Sequence, residues 1–146
     1  MQKHAIDVLI NLDHHILVTG DSGTGKTTLL AELRIVDSDC KYYQFAELNA
    51  GKGNWELCDE NFDDYDFLKT TERTLILDSV AIGNAAENSK VMQFIKTARK
   101  YGKRLIVVAY PTDAIKIKPL FGAIITLSGG FNTERNCAVE LHFLMK

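Results

Sequence analysis

Residues Gly20 to Thr27 read Gly20-Asp21-Ser22-Gly23-Thr24-Gly25-Lys26-Thr27, which satisfies the pattern glycine, four variable positions, then Gly-Lys-Thr. Glycines at such places allow left-handed backbone conformations that turn successive N–H groups toward one centre, a concave nest for anionic oxygens. Lys26 brings a positive charge for the outer phosphates of a nucleoside triphosphate, and the Thr27 hydroxyl is a natural magnesium ligand. With Thr28 in the first helical turn, Gly20 to Thr28 form the candidate phosphate cradle, expected to take ATP with magnesium. A second candidate is Asp78, which closes the apolar run Thr74-Leu75-Ile76-Leu77. A carboxylate at the carboxyl end of a buried strand stands where ligands bind in open α/β sheets. Asp78 is therefore expected to steady the metal's water and the Thr27 hydroxyl.

A phosphate loop of this kind works between a strand and a helix, and the flanking residues predict both. His15 to Thr19 is a short apolar run closed by glycine, and Thr27 to Ile35 places Leu29, Leu30 and Leu33 on one helical side. Further strands are predicted at Lys41 to Phe45, Thr74 to Leu77 and Arg104 to Ala109, the last ended by Tyr110-Pro111. Asn88 is placed to cap a helix from Ser89 to Lys100, with Val91, Ile95 and Ala98 at helical spacing and Gly102 as terminator. Two strands, Ala123 to Leu127 and Ala138 to Phe143, flank a predicted turn region from Ser128 to Asn136. Near-continuous apolar strands alternating with helices imply a three-layer α/β sandwich with a mainly parallel central sheet.

The 146 residues suffice for one nucleotide-binding domain over 1–146 with its own core. Hydrophobic residues at 46% and charged ones at 25% match an ordinary globular protein, and no apolar run is long enough to span a bilayer. Asp7 and Asp13 break up the start of the chain, which does not read as a secretory leader, so a cytoplasmic location without membrane insertion is expected. Cys40, Cys58 and Cys137 are widely spaced and form no Cys-x-x-Cys pair, so reduced thiols are expected. His4, His14, His15 and His142 lack metal-ligand spacing. The net charge of -2 excludes a protein that coats nucleic acid by bulk charge. Charge is nevertheless uneven: Glu56 to Asp66 holds six acids and no base, and Lys90 to Lys118 holds eight bases against Asp113 alone. These stretches read as solvated helix faces, complementary patches between subunits, or a basic strip for a nucleic-acid backbone.

The loop followed by a strand ending in Asp78 resembles the P-loop NTPases of the RecA-like branch, with Walker A at Gly20 to Thr27 and Walker B at Asp78; the resemblance spans roughly 14–143 in element order. Many members carry a glutamate after that aspartate, where this chain has Ser79. RecA-like and KaiC-like ATPases are similar here in having an Asp-Ser pair, and they place the catalytic glutamate after the second strand. The resemblance thus implies Glu47 as the general base, at the end of Tyr42-Tyr43-Gln44-Phe45-Ala46-Glu47. The stretch from Phe94 to Ala109, with Arg-x-x-Gly before the fourth strand, is similar to HerA- and FtsK-like DNA pumps, whose polar sensor corresponds here to Ala109-Tyr110-Pro111, so that Thr112 or the Tyr110 hydroxyl is the available substitute. Ring-forming relatives present a basic residue to a neighbour's nucleotide, a part that Arg135, between the last two predicted strands, would fill.

The leading functional expectation is an ATPase that drives a conformational or translocating step on a macromolecule, DNA in particular, assembled as a homo-oligomer or with a protein partner. A small-molecule or nucleoside kinase shares the loop but needs an arginine-bearing lid, and the connection from Tyr110 to Gly122 contains lysines only. A nucleotide switch without turnover is the third reading, supported by Ser79. Tyr110-Pro111-Thr112-Asp113 lacks a guanine-reading Asn-Lys-x-Asp, so GTP specificity is not expected. Trp55, Tyr42 and Tyr43 read as core or as surfaces on which a base stacks.

Overall fold

The computed structural model describes residues 2–21, 23–44, 71–78, 95–96, 98–130 and 133–141. Its strands are β1 (Ile16–Gly20), β2 (Cys40–Gln44), β3 (Thr74–Asp78), β4 (Arg104–Ala109), β5 (Ala123–Gly130) and β6 (Thr133–Leu141), and its helices α1 (Gln2–Asn11), α2 (Lys26–Val36) and α3 (Pro111–Ile117). Residues 95–96 and 98–100 are also helical. The strands form one sheet in the order β2-β3-β4-β1-β5-β6. All neighbours are parallel except the antiparallel pair β5 and β6.

Side-chain alternation explains the layers, because successive residues of a strand point to opposite faces. Leu17, Leu75, Leu77, Leu105, Val107 and Ile124 face one way and pack with Ile95, Ala98, Ala114 and Ile117. Ile16, Val18, Ile76, Ile106, Val108 and Ile125 face the other way and pack with Ala5 and Leu9 of α1 and with Leu29, Leu30 and Leu33 of α2. Both faces are covered by helices, so every inner strand must be apolar along its whole length, and the predicted α/β sandwich with its mainly parallel sheet is the observed one.

Several boundaries move for identifiable reasons. The region from Ser128 to Asn136 is mostly strand rather than turn, because β5 and β6 keep pairing through Ser128 with Asn136 and end at Gly130 with Thr133, with a register shift between. Ladder hydrogen bonds there outweigh a polar, glycine-containing composition. Two helices are not anticipated by the sequence pattern. In α3, Pro111 is not only the stop after β4; it stands at the first helical turn, where its missing N–H costs nothing, and Ala114 and Ile117 turn into the core. The other is α1, whose Ala5 and Leu9 are fully buried. Among the described residues no helix is long and apolar enough to cross a membrane.

Candidate nucleotide site

The loop leaves the carboxyl end of β1 and enters α2 at Lys26. Gly23 and Gly25 have φ of 83° and 103°, the left-handed conformations the glycine spacing predicts. Gly25 is the N-cap of α2 and gives no side-chain cap, so the first-turn N–H groups are not taken up by a cap side chain, and no acid stands in that turn. The positive end of the helix is left for an anion. Gly20 is required for a different reason: a Cβ there would lie 2.6 Å from the Leu127 carbonyl oxygen and 2.6 Å from Thr24 Oγ1.

Inside the loop the Asp21 carbonyl is the common anchor. It accepts from the Thr24 N–H at 3.3 Å, the Thr24 hydroxyl at 2.7 Å and Lys26 Nζ at 2.8 Å. Lys26 Nζ also donates to the Gly20 carbonyl. The ammonium is thus held against the loop that its charge is meant to serve, and it lies 4.6 Å from the centroid of the Tyr110 ring. Such a cation–π contact orients a flexible lysine without neutralising it. Tyr110, at the end of β4 and 48% exposed, joins the site through its ring face.

Asp78 ends β3, and alternation from Ile76 puts it on the sheet face that α2 covers. One strand, β4, separates β3 from β1. At about 4.8 Å per strand the Asp78 backbone is therefore roughly 10 Å from that of β1. A metal and its water span such a gap; a direct hydrogen bond to the loop backbone does not. The Tyr42 hydroxyl donates to Asp78 Oδ2, and the Arg34 guanidinium of α2 lies 4.3 Å from the Tyr42 ring centroid. Tyr42 therefore ties the carboxylate to the loop's own helix, a role the sequence did not signal, since it depends on the register of β2 against β3.

Neither a protein-family model nor a curated protein matches the chain by sequence. Solved structures do match by shape. The N-terminal domain of zonular occludens toxin from Neisseria meningitidis superposes with a TM-score of 0.60 at 15% identity, over 88% of this chain and 84% of that one. The Pif1 helicase from Candida albicans gives 0.54 at 18% identity over 89% of this chain, and C. elegans PCH-2 gives 0.50 at 23% over 86%. This chain has the P-loop NTPase fold. It spans only 39% of the Pif1 chain and 37% of the PCH-2 chain, so the fold is common to all while the larger proteins contain much besides.

Within this P-loop fold the predicted residues divide into three groups. Gly20, Asp21, Gly23, Thr24, Gly25, Lys26, Thr27 and Thr28 come together at the loop and the start of α2, and Asp78 stands on the same side of the sheet. Ser22, Glu47, Trp55, Ser79 and the acidic stretch from Glu56 to Asp66 lie outside the described residues. Arg135 is a correction: it belongs to β6, near the pairing of Ser128 with Asn136, and not to a turn. Thr112 is exposed in the first turn of α3.

The donors present suit magnesium better than zinc. Among the described residues no cluster of three or more His, Cys, Asp or Glu could hold a metal. A single hydroxyl and a single carboxylate are what magnesium needs when phosphate and water fill the remaining positions. The thiols of Cys40 and Cys137 are disfavoured as thiolate ligands: burial, then the neighbouring Asp37, pushes Cys40 up to about 12, and burial raises Cys137 as well.

Proposed function

We propose that the chain binds ATP with magnesium at Gly20 to Thr28 and hydrolyses it to drive a conformational or translocating step on DNA or on a protein assembly. The observation that carries this reading is the seating of Lys26 Nζ on the Gly20 and Asp21 carbonyls at the start of α2, beside a loop whose glycines adopt left-handed turns. In that reading the loop N–H groups and Lys26 hold the phosphates, Thr27 holds the metal directly, and Asp78, steadied by Tyr42, holds it through water. Bound magnesium would supply charge neutralisation between the outer phosphates. Glu47 is the proposed base that orients the attacking water.

The whole chain, 1–146, is read as one nucleotide-binding domain in the cytoplasm. A homo-oligomer or a protein partner is proposed to complete the site, with Arg135 reaching a neighbour's nucleotide. The RecA-like assignment and the DNA substrate rest on the Asp78-Ser79 pair and the Arg99-to-Gly102 segment. The similarity in shape to a Pif1 helicase is consistent with a nucleic-acid substrate.

The test is steady-state ATP hydrolysis with and without single- and double-stranded DNA, using Lys26→Ala as the blank. Turnover that rises with DNA and falls to background in Lys26→Ala is expected. Tight ATP binding without turnover in any condition would replace the motor by a nucleotide switch or a kinase awaiting its acceptor.

A further inference from the structure

Tyr110 is an unexpected residue for the place it occupies. It is the N-cap of α3, a position that favours Ser, Thr, Asn and Asp because their short side chains accept from first-turn N–H groups, and its own side chain makes no such bond. Only its main chain serves the turn: the Tyr110 carbonyl accepts from the Asp113 N–H at 3.0 Å and the Ala114 N–H at 2.9 Å, bonds that any residue would make. Burial does not call for the ring either, since Tyr110 is half-exposed. Neither capping nor core packing therefore requires an aromatic side chain at 110. What the ring does touch is chemistry: the Lys26 ammonium lies 4.6 Å from its centroid.

A lysine ammonium has three N–H donors. The Gly20 and Asp21 carbonyls accept from Lys26, and the Tyr110 ring lies against the same ammonium as a third partner. A phosphate oxygen that is to be bound by Lys26 must take the place of one of the three. The π-face of a phenol is itself negative, so ring and phosphate are rivals for one cation. Relative strength decides which partner leaves. The carbonyls make charge-assisted hydrogen bonds from a fixed loop backbone, whereas a cation–π contact at an exposed site is weaker and is made here by a half-exposed side chain. The ring gives way first, and the two carbonyls keep the lysine seated on the loop.

We propose that Tyr110 is a positioning residue of the nucleotide site: its ring holds the Lys26 ammonium while the site is empty and yields it to the outer phosphates of the nucleotide. Tyr110 thereby restrains nucleotide affinity through Lys26. The inference rests on the reading of Gly20 to Thr28 as the phosphate cradle. Removing the ring removes the rival but not the seat, because both carbonyls remain, so the affinity for nucleotide should rise.

The test uses the full chain as wild type, as Tyr110→Leu, which has no π-face, and as Tyr110→Phe, which keeps the ring. Mg-ATP is titrated by calorimetry with Lys26→Ala as the blank, and the Lys26 ε-methylene signals are followed by NMR. Without nucleotide, the ring current should move these signals upfield in wild type and Tyr110→Phe but not in Tyr110→Leu, and saturating Mg-ATP should abolish the shift. Tyr110→Leu is expected to bind Mg-ATP about two- to fivefold more tightly than wild type, the worth of an exposed cation–π contact, and Tyr110→Phe to restore the wild-type value. A Tyr110→Leu affinity equal to or below wild type would overturn the inference and leave the cradle standing, as would a Tyr110→Phe that behaves like Tyr110→Leu. An upfield shift that survives saturation of the wild type would do the same without any variant. Mg-ATP that binds wild type no better than Lys26→Ala would overturn the cradle itself, and this inference with it.

Discussion

The phenol of Tyr42 determines where the Asp78 carboxylate points, and Arg34 of the loop's helix in turn packs over the Tyr42 ring. Residues that orient a carboxylate near a metal commonly matter nearly as much as the ligand itself. Tyr42→Phe keeps the ring and its stacking but deletes the donor. It is expected to weaken magnesium-dependent ATP binding by about tenfold while leaving metal-free nucleotide binding and the thermal midpoint almost unchanged. Titrations with and without magnesium measure this, and an equal loss in both would mean that Asp78 acts on the fold and not on the metal. The loop itself was legible because all its parts are contiguous: Gly20, Gly25, Lys26 and Thr27 determine one another's positions through local backbone geometry. Tyr42 was not, because its contact spans 36 residues of sequence and exists only once β2 and β3 are in register. Tyr110 fell between these cases. Its position beside the site was legible from the end of β4, whereas its use as a ring against Lys26 was not.

Elements show the same division. The strand Arg104–Ala109 coincides with its predicted bounds because six consecutive residues are buried, which leaves no other arrangement for the run. By contrast α1 is short and interrupted by Asp7, so its pattern was weak until α2 and the sheet supplied a surface for Ala5 and Leu9. Tertiary packing, not propensity, makes it a helix. That argument is testable within the element. Leu9 is fully buried against α2 and the sheet, so Leu9→Ala is expected to destabilise by about 3 kcal/mol, the transfer and cavity cost of a core leucine, or roughly 10 °C in the thermal midpoint. Its neighbour Ile10 is 38% exposed, and Ile10→Ala should cost about 1 kcal/mol or less. Equal costs in thermal melts of the two variants would mean that α1 is not docked by one face. The hairpin of β5 and β6 carries a related lesson: polar residues near Gly129 read as a turn, yet pairing along the edge extends the strands past them and takes Arg135 into β6.

Across the whole molecule the sheet separates two polar features, a backbone cradle at the carboxyl ends of the strands and a cavity lined by side chains at their starts. The first could be read locally and the second could not, because Asp13, Arg73 and Arg99 are neighbours only after three strands have aligned. Global stability should report on the second through His15, which lines it. Burial, then Arg99, His14 and Arg104, lowers its pKa from 6.5 to about 4, while Asp13 opposes them; Arg73 and Lys103 line the same cavity and add positive charge. The folded protein therefore keeps His15 neutral where the unfolded chain would protonate it. Between these two values the unfolded state binds more protons, so this contribution is fully present above pH 6.5 and is lost as pH falls toward 4. The loss amounts to about 2 kcal/mol between about pH 7 and about pH 5, a window in which most carboxylates remain ionised. Urea unfolding across that window measures it. In His15→Asn, whose side-chain oxygen keeps an acceptor for the Leu105 N–H but does not titrate, the slope should flatten. A slope unchanged by His15→Asn would place the pH dependence elsewhere in the protein.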